Sequence, residues 1–150
     1  MKQNPKDIPI QESLRAGILA RDGFLGEDER PFPQIILDDA EALAALGIMP
    51  AELAGEMRRL TRLGIQNNGA AQADSFQITV EEYMGRIGCP FRDHRAAKRN
   101  TTVMDITTGR SVSWSDLSIH LISEHGFFQG RGATYRLEPA ELAGFLKIIK

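Results

Sequence analysis

The stretch Met104-Asp105-Ile106-Thr107-Thr108-Gly109-Arg110-Ser111-Val112-Ser113-Trp114-Ser115-Asp116-Leu117-Ser118-Ile119-His120-Leu121-Ile122-Ser123-Glu124-His125-Gly126 changes period part-way along. Met104 and Ile106 on one side, and Val112 and Trp114 on the other, alternate with polar residues around Thr107-Thr108-Gly109-Arg110. That is the pattern of two antiparallel strands joined by a tight turn. Beyond Trp114 the apolar residues Leu117 and Leu121 take up helical spacing. Ser113 with Asp116, or Ser115 alone, caps a helix that runs to His125, and Gly126 ends it. A hairpin feeding straight into a helix places the chain in the α+β class.

Upstream, Phe76, Ile78 and Val80 alternate as a half-buried strand would, with a short helix over 80–86 capped by Thr79 and Glu82 as the competing reading. Gly85, Gly88 and Pro90 then bracket Cys89 in a tight irregular stretch. The first half reads helical. Leu14, Ile18, Leu19 and Leu25 recur at roughly helical spacing, with Gly23 and Gly26 at the exit. Arg30-Pro31-Phe32-Pro33 is a stiff extended connection. A second helix begins at Pro33, or at Asp38 with Glu41 in the capping-box position. It carries Ile36, Ala40 and Leu43 on one face and stops at Gly47. A third opens at Pro50, buries Leu53, Met57 and Leu60, leaves Arg58, Arg59 and Arg62 off the stripe, and stops at Gly64.

Residues 66–75 show no apolar period and read as a linker. Downstream, 133–137 suits one more strand, and Pro139 opens a last helix with Leu142, Phe145, Leu146 and Ile149 facing inward. Pro-Ala-Glu-Leu-Ala-Gly occurs at 50–55 and again at 139–144 without shared flanks, which marks two proline-opened helix starts rather than a duplicated unit. The expected architecture is a helical N-terminal half packed on a small antiparallel sheet with two C-terminal helices. Its parts are a helical subdomain over 1–65, a linker over 66–75 and a small α+β subdomain over 76–150, together one compact unit.

The 150 residues are 42% hydrophobic and 25% charged, as in a globular domain, and the net charge of −2 argues against bulk polyanion binding. The charge is unevenly divided: residues 1–75 hold 8 basic and 12 acidic side chains, residues 76–150 hold 10 and 8. One cysteine leaves no intrachain disulfide and fits a reducing compartment. The polar N-terminus shows no signal peptide and no apolar run reaches membrane-spanning length, so a cytoplasmic location with no membrane partner is expected.

Cys89, His94, His120 and His125 gather the lone cysteine and all three histidines into C-x4-H-x25-H-x4-H. Two sequence-close pairs of thiolate and imidazole are what a structural zinc ion takes, and these four residues are the candidate ligands. Helix geometry objects: His120 and His125 point about 140° apart on a regular helix, so convergence would require the last turn to unwind before Gly126. His125 also falls in the apolar arc with Trp114, Leu117 and Leu121, where a core histidine is the plain alternative. His120 sits one turn before Glu124, where a surface pair is the plain alternative.

Other chemistries are less well supported. His120-Leu121-Ile122-Ser123-Glu124-His125 is neither H-E-x-x-H nor H-x-x-E-H. A Cys89 nucleophile, or a histidine near the Gly126–Gly132 loop, is the route by which a small enzyme would work, with Arg86, Arg92 and Arg95 favouring the thiolate. Arg86, Arg92, Arg95, Lys98 and Arg99, interleaved with Tyr83 and Phe91, form a basic stretch through which nucleic acid could bind. Phe127-Phe128 reads as a plug under the following strand rather than as an exposed patch for a partner.

Gly88-Cys89-Pro90-Phe91, Trp114-Ser115, the run from His120 to Phe128, Tyr135-Arg136-Leu137-Glu138-Pro139 and Asp22-Gly23-Phe24-Leu25-Gly26 together resemble a family of small prokaryotic proteins of unknown function. The resemblance spans most of the chain, and it brings no activity or catalytic residue with it. The residues point to a non-enzymatic binding or adaptor protein, for which a structural zinc site is one open reading and no cofactor is the other. The small enzyme and the nucleic-acid binder stay open, and a protein partner is compatible with all three.

Overall fold

The computed structural model describes residues 5–15 and 23–148. A one-turn 3-10 segment, Pro5–Asp7, leads into α1 (Ile8–Ser13). Then come α2 (Phe32–Ala44), α3 (Pro50–Gln66), β1 (Ala70–Ala73), β2 (Phe76–Gly88), β3 (Arg95–Asp105), β4 (Ser111–Ser115), α4 (Asp116–His125) and α5 (Pro139–Phe145). The strands form an antiparallel meander in the order β1-β2-β3-β4. Helices plus an antiparallel sheet make the chain α+β, as its patterning indicates.

The β3–β4 hairpin and α4 fall where the periodicity places them. Ser115 is the N-cap: its hydroxyl accepts from Ser118 N–H at 3.0 Å while Ser118 Oγ accepts from Ser115 N–H at 3.1 Å. Gly126, at φ +60°, closes the helix in the left-handed conformation that glycine adopts without steric cost. Both Pro-Ala-Glu-Leu-Ala-Gly copies open helices.

Other elements differ from the patterning, each for a local reason. The expected linker contains β1, paired with β2 from Ala70↔Thr79 to Ala73↔Phe76. Its small residues hide the alternation that marks a strand. β2 is a strand throughout, not a helix over 80–86, with a bulge where the register shifts between Glu82 and Arg86. On α2 the buried face is Phe32, Ile35, Asp39 and Leu43 rather than Ile36 and Ala40, because the helix starts at Phe32, with Pro33 in its first turn. Residues 133–137 are turn and coil, not a strand. The expectations for Ile18, Leu19 and Ile149 lie outside the described residues.

α3 does not stop at Gly64. The helix runs on to Gln66, and Gly64 is buried where a Cβ would overlap Val80 Cγ2 on the sheet. The missing side chain lets the helix approach the strands. Next to it, Thr61 Oγ1 accepts from Trp114 Nε1–H at 2.9 Å and shares a 2.7 Å hydrogen bond with Thr101 Oγ1. Thr101 and Trp114 face each other across β3 and β4. Trp114 and Thr101 are fully buried and Thr61 nearly so. A buried indole N–H needs an acceptor, and this one fixes α3 on the sheet at a single height.

Leu53, Met57, Leu60, Ile78, Val103, Trp114, Ile122, Phe128, Leu142 and Leu146 belong to one core cluster, so residues of both halves of the chain pack together. A second cluster joins Leu14, Phe24, Phe32, Ile35, Cys89, Leu117, Leu121 and Phe127. α4 lies between the two, sending Ile119 and Ile122 into the first and Leu117 and Leu121 into the second. Phe127 and Phe128 are plugs, 0% and 1% exposed.

Two ion-pair groups tie the periphery. Arg136 holds Asp39 through Nη1 at 2.6 Å and Nη2 at 3.0 Å, both side chains nearly buried. Asp28 accepts from Arg30 Nε at 2.9 Å, from Arg30 Nη2 at 2.5 Å and from Arg131 N–H at 3.2 Å. The Arg30 hydrogen bonds hold the Asp28 carboxyl well below the usual carboxylate range, against the effect of its burial.

Two outcomes follow. Gly64→Ala lowers stability by about 1–3 kcal/mol through overpacking. Gly55→Ala on the same helix, where the added methyl meets nothing within 4 Å, raises it by about 0.5–1 kcal/mol. Chemical denaturation of both variants checks the contrast. Because Asp28 titrates lower in the folded chain than in the unfolded one, its contribution is complete above the unfolded value of about 4 and is lost as pH falls below it. Asp28→Asn lowers the melting temperature at neutral pH and flattens its fall between about pH 5 and pH 2, read by thermal melts across that range.

Candidate metal centre

The tip of the β2–β3 hairpin builds one wall of the site. β2 ends at Gly88, opposite Arg95 in register, and residues 89–94 turn the chain. Cys89 N–H donates to the His94 carbonyl at 2.8 Å, and Arg92 N–H donates to the Cys89 carbonyl at 2.8 Å. Arg92 sits at φ +64°, in the left-handed region. The turn projects Asp93 toward α4. It also lets Cys89 Sγ accept from Phe91 N–H at 3.4 Å.

The last two turns of α4 form the other wall. His120 Nε2 lies 2.9 Å from Asp93 Oδ1, and His125 Nε2 lies 2.8 Å from Asp93 Oδ2. One carboxylate therefore bridges both imidazoles. The helix remains regular to His125, so the unwinding that the helical wheel demanded does not occur. A group set beside the terminal turn meets both rings, each spanning part of the angular gap. The rings are 5.4 Å apart at 76°. Neither histidine takes its bland alternative alone. His125 stacks on Phe91 at 4.0 Å, which orients its ring, and His120 pairs with Asp93 rather than Glu124.

One donor atom from each of Cys89, Asp93, His120 and His125 lies within 4.8 Å of the others, a group that can hold a metal ion. Three of the four sequence candidates are in it. His94 is not: its ring stacks on the outer side of His120 at 4.5 Å and 25°. Asp93, its neighbour, takes the fourth position, since successive side chains in a tight turn leave in different directions. With 20 acidic residues in the chain, an aspartate carries no signal of its own; its place four residues after a turn cysteine is the available clue.

The electrostatics match a thiol and an acid held close together. Burial, with the adjacent Asp93 carboxylate, pushes the Cys89 thiol up to about 12, despite the Phe91 N–H that favours the thiolate. Burial works against ionised Asp93, yet hydrogen bonds from Cys89 and His120 and the charges of His125 and His120 hold it well below the usual carboxylate range. A thiol that is 3% exposed and hard to ionise is poorly placed as a free nucleophile. Its proton would leave only for a strong Lewis acid at the sulfur.

No protein-family model, curated protein or solved structure matches the chain. The chemistry of the site rests on its own geometry.

Asp93→Ala removes the acceptor of both imidazoles and destabilises the protein by about 1–3 kcal/mol, whereas His94→Ala, which loses only an exposed stack, costs less than about 1 kcal/mol. Urea denaturation of the two variants, in the presence of a chelator, separates them.

Proposed function

We propose that this is a non-enzymatic binding protein whose hairpin tip and α4 are held together by a structural zinc ion at Cys89, Asp93, His120 and His125. The observation that carries the reading is the convergence of one thiol sulfur, one carboxylate oxygen and one ring nitrogen from each of two imidazoles within 4.8 Å, from two segments far apart in sequence. Zinc bonds of about 2.0–2.3 Å at tetrahedral angles put ligand atoms roughly 3.3–3.6 Å apart. The present spacing needs only small side-chain movements to reach that. The Phe91 N–H on Cys89 Sγ and the Phe91 stack on His125 are the outer contacts such ligands use to keep their orientation.

Four protein donors complete a tetrahedral zinc and leave no position for a substrate, which favours a structural role over a catalytic one. A bound ion would supply the counter-charge that a buried thiolate lacks. No helix among the described residues is long and apolar enough to cross a membrane.

Protein made without an affinity tag and analysed by elemental mass spectrometry carries one zinc per chain. Cobalt substitution gives the thiolate charge-transfer band, lost in Cys89→Ser and kept in His94→Ala. Chelation lowers the melting temperature, by the equivalent of about 4 kcal/mol if free zinc had stood at about 1,000 times the dissociation constant. Absence of stoichiometric metal together with melting unchanged by a chelator refutes the proposal.

A further inference from the structure

Beside the metal centre, α3 and the outer half of the β2–β3 hairpin enclose an open cleft of about 610 Å³. Arg58 and Arg62 line it from the helix, Arg86, Arg95 and Arg99 from the strands, and His94 with His120 from the side nearest the metal ligands. Arg99 is neutralised by Glu82 at 3.0 Å and Asp116 at 2.8 Å. Arg58, Arg62, Arg86 and Arg95 have no carboxylate partner among the described residues; Arg86 reaches only the Arg95 carbonyl, at 3.5 Å. Four uncompensated guanidiniums share one concavity in a chain whose net charge is −2. Like charges one helical turn apart, as at Arg58 and Arg62, destabilise the free protein. A cost of that kind is recovered when an anion enters.

We infer that this cleft binds the phosphodiester backbone of a nucleic acid. Every unpaired cation in it is arginine, whose planar fork suits phosphate oxygens. The guanidiniums are spread rather than focused: Arg58 and Arg62 rise about 6 Å apart along α3, facing the strand arginines across the cleft. That arrangement suits successive phosphates along a chain better than a single small anion. Of the larger apolar groups in the lining only Ile65, 38% exposed, offers a contact for a peptide side chain, since Ile119 and Ala96 are 5% and 4% exposed. A concave site also presents its charge poorly to a flat lipid surface. The α3 arginines, which the basic run at 86–99 does not include, supply half of the unpaired charge. This inference does not depend on the metal reading.

The test is fluorescence anisotropy of a labelled strand of about 16 nucleotides, and of its duplex, titrated with full-length protein with and without a chelator. Salt is varied from about 50 to 200 mM. Four phosphate contacts give a slope of log K against log salt of about −3 to −4. Arg58→Glu and Arg62→Glu, exposed residues on a helix whose buried face they leave intact, each weaken binding at least about tenfold and reduce that slope by about 1. Arg110→Glu, the same charge change at the far hairpin, leaves affinity within about twofold, and circular dichroism melts confirm that all three variants fold. Binding that is absent at low salt overturns the inference, as does equal loss with Arg110→Glu. So does displacement of the strand by low-millimolar inorganic phosphate, equally tight binding of a polyglutamate peptide, or binding to anionic vesicles without binding to either oligonucleotide. Binding that survives chelation while zinc is lost leaves the cleft standing apart from the metal.

Discussion

One buried hydrogen bond sets the geometry on which the rest depends. Trp114 has to bury a large ring and satisfy its N–H in the same place, and Thr61 on α3 is the group that does so. Thr101, directly across from Trp114, closes the group from the neighbouring strand. Apolar contacts alone would let a helix slide over a sheet at little cost. A buried donor that loses its acceptor costs about 1–3 kcal/mol, so this polar group selects one position. Gly64, one turn further along α3, permits the close approach that brings the two hydroxyls to the indole.

With α3 held there, the outer features follow. Arg58 lies three residues, a little under one turn, before Thr61, and Arg62 immediately after it, so the helix that is locked to the sheet carries both arginines to the cleft. β4 passes directly into α4 through the Ser115 cap, which aims α4 across the end of the β2–β3 hairpin. The hairpin tip then brings Asp93 between His120 and His125. The metal centre and the cleft share His120 as a boundary.

Much of this was legible in residue patterns, and the failures have physical causes. The capped helix over 116–125, the hairpin before it and the proline-opened helices were readable because caps, turns and apolar periods are local. β1 was hidden because Ala70, Ala71 and Ala73 carry almost no hydrophobic contrast. Gly64 looked like a helix end because glycine serves both as a stop and as a point of close contact, and only the neighbouring strand distinguishes the two. His120 and His125 look divergent on a helical wheel for a related reason: directions from the helix axis do not show that both rings meet a third group beyond the helix surface. In the same way residue type favours His94, the more common metal ligand, over its neighbour Asp93.

The sequence by itself determined the α+β class, the capped α4, the hairpin and the narrow window holding the thiol and imidazoles, because each is encoded by residues within a few positions of one another. The tertiary structure decided that Asp93 rather than His94 meets the histidines, that residues 70–73 pair with β2, and that arginines some thirty residues apart face each other. Those outcomes depend on the direction in which a turn projects a side chain and on which distant surfaces come together. No local pattern carries that information, because a residue's neighbours in space are chosen by the packing of the whole chain.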